Sequence, residues 1–135
     1  MGAAAAIWSV LLVFALGLVP LQVAGAAPDD GAGDKVRQPV QQQLEDKGRA
    51  DFWVRFADRP DLDRFSGMSD WGARGDAVWE ALQETSVTSQ AQARARLDQE
   101  GVTYQAFSIT NAIRVSGGDA DLVEGLAASP SVEGV

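Results

Sequence analysis

The alternation of apolar and polar residues is clearest from position 102 to 118, where it predicts two strands joined by a tight polar turn. Phe107 and Ile109 alternate with small or polar residues before Asn111, and Ile113 and Val115 do so after it. Because successive side chains of a strand point to opposite faces, these four apolar residues are predicted to share the core face of a hairpin. Small and polar side chains are left on the other face, which the core does not cover.

A further strand is predicted where DFWVRFA, at positions 51–57, alternates three apolar residues with Trp53 and Arg55. Trp53 is then placed on the outer face. There it either lies under a neighbouring loop or contacts a partner protein, since exposed tryptophan is favoured at interfaces. A last strand is predicted from Val132 to Val135, after a break at Ser129-Pro130-Ser131.

Helical periodicity replaces alternation between Asp70 and Glu100, where apolar residues recur at a spacing near 3.6 without any proline. Gly101 is expected to end this helix as its C-cap. Positions 85–90, TSVTSQ, are poor helix formers, so packing on the sheet must hold the helix there. A shorter helix is expected after Asp119, its N-cap, with Leu122 and Leu126 one turn apart.

The predicted order is therefore strand, helix, strand, strand, helix, strand. With right-handed crossovers this order gives an α+β fold, namely a ferredoxin-like βαββαβ unit with a four-stranded antiparallel sheet and both helices on one face. The domain is expected to span residues 49–135, and the polar segment 27–48 is predicted to be a flexible lead-in.

The first 26 residues have the pattern of a signal peptide. An uncharged apolar core runs from Ile7 to Val19, and Ala24-Gly25-Ala26 supplies a small-residue cleavage pattern. Cleavage after Ala26, with Ala27 as the neighbouring option, predicts a secreted, extracellular protein without a stable membrane anchor. The alternative is an uncleaved anchor, for which the apolar run is short and is interrupted by Pro20.

Composition excludes several classes of function. The 135-residue chain has no histidine and no cysteine, which removes the usual general base, the Ser-His and Cys-His nucleophile pairs and thiolate metal sites. Its net charge of -8 argues against nucleic-acid binding. The loop aspartates Asp58, Asp61 and Asp63 lack the spacing of a calcium loop. We expect no enzymatic activity, no cofactor and no metal site in this chain.

The succession ADFWVRFA, SQAQARARLDQEG, YQAFSITNAIRVSG and LAASPSVEGV resembles the N-terminal propeptide, an inhibitor-type pro-domain, of secreted subtilisin-like serine proteases. The resemblance covers residues 49–135. In that family a C-terminal tail runs from the last strand into the protease active site, whereas this sequence ends at Val135. A chain without the tail is expected to keep the contact of its sheet face and to inhibit more weakly than a chain extended through its natural downstream residues.

The resemblance implies an intramolecular chaperone and temporary inhibitor whose open sheet face binds the catalytic domain of the protease, in cis or in trans. A stand-alone secreted inhibitor or another protein-interaction module is the alternative. An acidic group at the edge, Glu133, is the candidate for capping helix N-termini of the partner. The complete set of partner-binding candidates is Trp53, Arg55, Ala106, Ser108, Ala112, Arg114 and Glu133.

Overall fold

The computed structural model describes residues 31–135, and the predicted cleavage site at Ala26 lies outside them. Two short helices come first, α1 (Gly31–Lys35) and α2 (Gln38–Lys47). The remaining elements are β1 (Ala50–Phe56), a 3-10 turn (Asp63–Phe65), α3 (Trp71–Glu100), β2 (Thr103–Phe107), β3 (Ala112–Gly118), α4 (Ala120–Ala127) and β4 (Val132–Gly134).

The four strands form one antiparallel sheet in the order β2-β3-β1-β4. In its centre Val54 lies opposite Ile113 and Phe52 lies opposite Val115, so the apolar residues of β1 and β3 share one face. The α+β class and the ferredoxin-like arrangement predicted from the sequence are confirmed.

Both α3 and α4 cover that apolar face. The largest fully buried side chains come from the sheet and from both of these helices, namely Phe56, Leu97, Ile113, Leu122 and Leu126. Removing such apolar surface from water contributes about 25 cal/mol per Å² and is the main source of stability in a fold without disulfides. No helix between residues 31 and 135 is long and apolar enough to cross a membrane.

The predicted helix ends are confirmed. The Asp70 carboxylate accepts a hydrogen bond from the Ala73 backbone N–H at 2.7 Å, and the Asp119 carboxylate accepts one from Leu122 at 3.0 Å. Gly101 closes α3 in the left-handed conformation, with φ at 65°.

The segment before β1 differs from the flexible lead-in that the sequence predicts for residues 27–48, because α1 and α2 occupy most of it. Val40 and Leu44 are four residues apart on α2 and so face the core on one side of the helix, and Val40 is only 7% exposed. Val36, which lies between α1 and α2, packs against the same core. The lead-in also binds the end of the chain: Val135 donates to the Lys35 carbonyl and accepts from the Arg37 N–H. The folded body therefore begins at least as early as α1.

The pairing of β2 corrects the predicted hairpin. Ala106 lies opposite Ile113 and Phe107 lies opposite Ala112, so Ala106 faces the helices and Phe107 faces away from them. The prediction had these two residues the other way round. Because side chains alternate along a strand, an error of one residue in the register exchanges the two faces.

Candidate partner-binding face

The side of the sheet opposite α3 and α4, called the open face below, carries residues from β1, β2 and β3. These residues are Asp51, Trp53, Arg55, Thr103, Gln105, Phe107, Ala112, Arg114 and Ser116. Four of the candidates from the sequence, Trp53, Arg55, Ala112 and Arg114, are brought together here, and all but Ala112, which is 4% exposed, are accessible to solvent. The structure therefore assembles one continuous surface from three strands.

An aromatic pair forms the apolar centre of the open face. The rings of Trp53 and Phe107 lie 5.2 Å apart between centroids at an interplanar angle of 37°. Trp53 remains 48% exposed, although it contacts Phe107 on one side. Tilted aromatic pairs at this distance attract each other, and an exposed tryptophan held in place in this way loses little freedom on binding.

A groove runs along the open face beside α2. Its volume is about 520 Å³, with one wall from α2 and its N-terminal flank and the other from β1 and the start of β3. Its lining includes the side chains of Arg37, Val40, Trp53, Arg55 and Arg59. The groove thus has an apolar floor and three arginines around it.

Glu133 is occupied within the chain. Its carboxylate lies 3.1 Å from the Arg59 guanidinium, and both side chains are more than half exposed. An exposed ion pair of this kind contributes little to stability, but it places the positive Arg59 guanidinium beside the carboxylate that is expected to cap helix N-termini of the partner. The role expected for Glu133 toward helix N-termini of a partner remains a prediction.

Ser108 and Ala106 do not lie on the open face, which corrects their assignment. The Ser108 hydroxyl accepts a hydrogen bond from the Ser86 hydroxyl of α3 at 2.9 Å, and Ala106 packs against the core. Since β2 ends at Phe107, Ser108 belongs to the turn that leads to β3. A partner on the open face would therefore not contact either side chain.

Asn111 fastens that turn to its surroundings. Its side-chain oxygen accepts hydrogen bonds from Ser89 Oγ and Gln90 Nε2, each at 3.0 Å, and its Nδ2 donates to the Asp58 carbonyl at 3.0 Å. Ser89 and Gln90 lie in the part of α3 that the sequence marks as weakly helical. The side chains that lower helix propensity there are the ones that hold α3 to the end of the sheet.

Tyr104 lies on the helix side of β2, opposite Val115. Desolvation and the nearby Asp98 carboxylate raise the pKa of its phenol, and Arg94 opposes this in part.

The loop aspartates have a local role, in that the Asp61 carboxylate accepts a hydrogen bond from the Asp63 N–H at 3.1 Å. Between residues 31 and 135 no cluster of carboxylates has the arrangement of a metal site.

Sequence reasoning missed Phe107, Arg37 and Arg59 as members of this surface. For Phe107 a signal was present, because Val102, Tyr104 and Ala106 alternate with polar Thr103 and Gln105 and place Phe107 on the polar side. For Arg37 and Arg59 no local pattern exists, since they reach the groove only through the packing of α2 and the loop after β1.

Comparison with protein-family models, curated proteins and solved structures found no match for this chain.

Proposed function

We propose that this chain is the pro-domain of a secreted subtilisin-like serine protease and that it acts as intramolecular chaperone and temporary inhibitor through its open face. The observation that carries the proposal is the Trp53–Phe107 pair, which lies on a sheet face that α3 and α4 leave uncovered. An aromatic cluster on an otherwise polar surface is typical of the centre of a protein interface. The resemblance of residues 49–135 to such propeptides supplies the identity of the partner.

The fold suits this role on physical grounds. Subtilisin-like catalytic domains contain a parallel sheet, and parallel sheets fold slowly because their contacts join distant parts of the chain. A preformed surface that binds only the native arrangement stabilises it by mass action. The open face offers such a surface, because hydrogen bonding among the four strands fixes the positions of Trp53 and Arg114, which lie directly opposite each other.

A stand-alone secreted inhibitor, or another interaction module, is the second candidate. The groove beside Trp53 supports it, because a groove of about 520 Å³ is large enough to hold side chains of a partner without any help in folding. The two candidates differ in one measurable property. A chaperone accelerates recovery of active protease from the denatured state, whereas an inhibitor alone reduces the activity of protease that is already folded.

The test uses the full chain with a subtilisin-like protease and measures hydrolysis of a chromogenic peptide. We expect competitive inhibition, and faster recovery of activity when the denatured catalytic domain is refolded with the chain. Trp53→Ala is expected to weaken both effects about tenfold or more, the loss typical of a central aromatic contact. Trp79→Ala is the matched control, because Trp79 is 49% exposed but lies on α3, which packs on the opposite face of the sheet.

Inhibition without faster refolding would favour the stand-alone inhibitor. If neither inhibition nor faster refolding is observed with proteases from several subtilisin-like groups, the connection to these proteases is contradicted, and an interaction module of another kind remains. Equal losses for Trp53→Ala and Trp79→Ala would show that the open face is not the contact surface. Gel electrophoresis during the assay separates inhibition from simple consumption of the chain as a substrate.

A further inference from the structure

Positive charge is concentrated on the open face of a protein that is acidic overall. The chain has 19 acidic and 11 basic residues, yet the side chains around the groove include Arg37, Arg55 and Arg59 against one carboxylate, that of Asp51. Arg114 adds a further guanidinium to the same face from β3. The local charge of this surface is therefore opposite to that of the whole molecule.

The arginines and the carboxylates of this surface differ in their availability. Asp51 accepts a hydrogen bond from the Gly117 N–H at 2.8 Å, and Glu133 is paired with Arg59. Neither Arg55 nor Arg114 donates a hydrogen bond or forms an ion pair within residues 31–135, and both are exposed. Their guanidinium groups therefore keep their full capacity for a ligand from outside.

The register of the sheet brings these two arginines close together. Arg114 lies opposite Trp53 and Arg55 lies opposite Ala112, so Arg55 and Arg114 are diagonal neighbours on adjacent strands. The backbone positions of diagonal neighbours in a sheet are about 7–8 Å apart, within reach of each other for long side chains, and like charges on such neighbours repel each other. An anion placed between them removes the repulsion and gains two charge-assisted contacts.

We propose that the open face recognises a carboxylate-rich patch on the surface of its partner protein, with Arg55 and Arg114 as the principal contacts on either side of Trp53. This inference rests on the proposed function, and it names the chemistry of the surface that the protease presents. Guanidinium groups bind carboxylates through paired parallel hydrogen bonds. The acidic remainder of the chain repels such a partner, so an acidic surface is directed to this face alone.

The experiment measures the dissociation constant of the full chain for a catalytically inactive subtilisin-like protease at ionic strengths from about 0.02 M to about 0.5 M, a range over which screening becomes strong. We expect affinity to fall as salt is raised. Arg55→Glu and Arg114→Glu are each expected to weaken binding about tenfold or more, and their double variant is expected to lose most of the salt dependence. Arg64→Glu makes the same charge change at an exposed position on the 3-10 turn and is expected to stay within about twofold of the original chain.

Arg55→Gln and Arg114→Gln repeat the test without adding a negative charge, in case reversal disturbs folding, which circular dichroism reports. Binding that depends on Trp53 but not on salt or on either arginine would overturn the inference and leave the proposed function standing. Absence of any binding to the protease would overturn both. Binding instead to vesicles containing phosphatidylglycerol, lost in the same arginine variants, would overturn the inference in favour of a lipid surface.

Discussion

Replacing Asn111 is expected to weaken the fold more than any other change in the β2–β3 turn. The residue is 4% exposed, and its backbone is in the left-handed region with φ at 44°, which asparagine tolerates better than other residues that have a side chain. Its backbone also takes part, because the Asn111 carbonyl accepts from the Phe56 N–H at 3.1 Å. One residue thus joins α3, β1 and the turn.

The magnitude follows from the contacts that Asn111→Ala removes. Three side-chain hydrogen bonds are lost, and each contributes roughly 1 kcal/mol net. The two donors on α3 are not left without acceptors, since Ser89 Oγ still reaches the Thr85 carbonyl and Gln90 Nε2 still reaches the Phe107 carbonyl. Alanine in the left-handed region adds about 1 kcal/mol of strain. We expect a total loss of about 2–4 kcal/mol in the free energy of unfolding.

Urea unfolding followed by tryptophan fluorescence measures this loss. Asn111→Gly removes the same hydrogen bonds without the backbone strain, so it is expected to be about 1 kcal/mol less destabilising than Asn111→Ala. Ile109→Ala in the same turn is the control, because Ile109 is 72% exposed and its loss is expected to stay within about 0.5 kcal/mol. A loss below about 1 kcal/mol for Asn111→Ala, or a glycine variant less stable than the alanine variant, would refute the reasoning.

Three further outcomes are expected. In thermal unfolding Gly118→Ala is expected to destabilise the protein by roughly 1–3 kcal/mol, because its Cβ would lie 2.6 Å from the Phe52 ring. Gly125→Ala in α4 should be nearly neutral, because its Cβ would displace the guanidinium of Arg96 from its exposed contacts with Glu100 and Asp121, and the higher helix propensity of alanine offsets that small loss. Because its pKa is raised, Tyr104 stabilises the folded state through its protonated phenol, in full below pH 10 and less as pH rises through the folded-state pKa. Tyr104→Phe should therefore flatten the loss of stability at high pH. The absorbance of this sole tyrosine should titrate above its ordinary pKa of 10.0. N-terminal sequencing of exported protein should begin directly after Ala26 or one residue later, and a retained Met1 in a membrane fraction would contradict cleavage.

The order of the strands and the two long helices from β1 to β4 was predictable because several of their boundaries have a local chemical cause. Asp70 and Asp119 begin helices through their own carboxylates, and Gly101 ends one through a backbone conformation that glycine adopts readily. The alternation in β1 is strict, and the exposed and buried residues follow it throughout. Such signals require only the residue and its near neighbours, which is why the α+β arrangement could be derived before the structure.

The lead-in helices could not be predicted with the same security, because their apolar residues are few and far apart. Val40 and Leu44 are the residues of α2 that pack on the core, and seven polar residues separate or flank them in that helix. A helix of ten residues is unstable alone in water, so packing on β1 and the bridge to Val135 decide whether it forms. The bridge to Val135 joins residues about a hundred positions apart.

The face assignment of β2 failed for a reason that alters the expected chemistry of the partner. Hydrophobicity alone placed Phe107 in the core, but the turn from Ser108 to Asn111 is held by α3, and that anchoring fixes which residues of β2 pair with β3. The open face consequently has an aromatic centre where small side chains were expected. Within residues 31–135 Arg55 and Arg114 form no ion pair on this face, while Glu133 is paired with Arg59. A partner that fits this surface is therefore expected to supply an apolar contact for Trp53 together with carboxylates beside it, while a contact of Glu133 with positive helix ends of the partner remains a separate prediction.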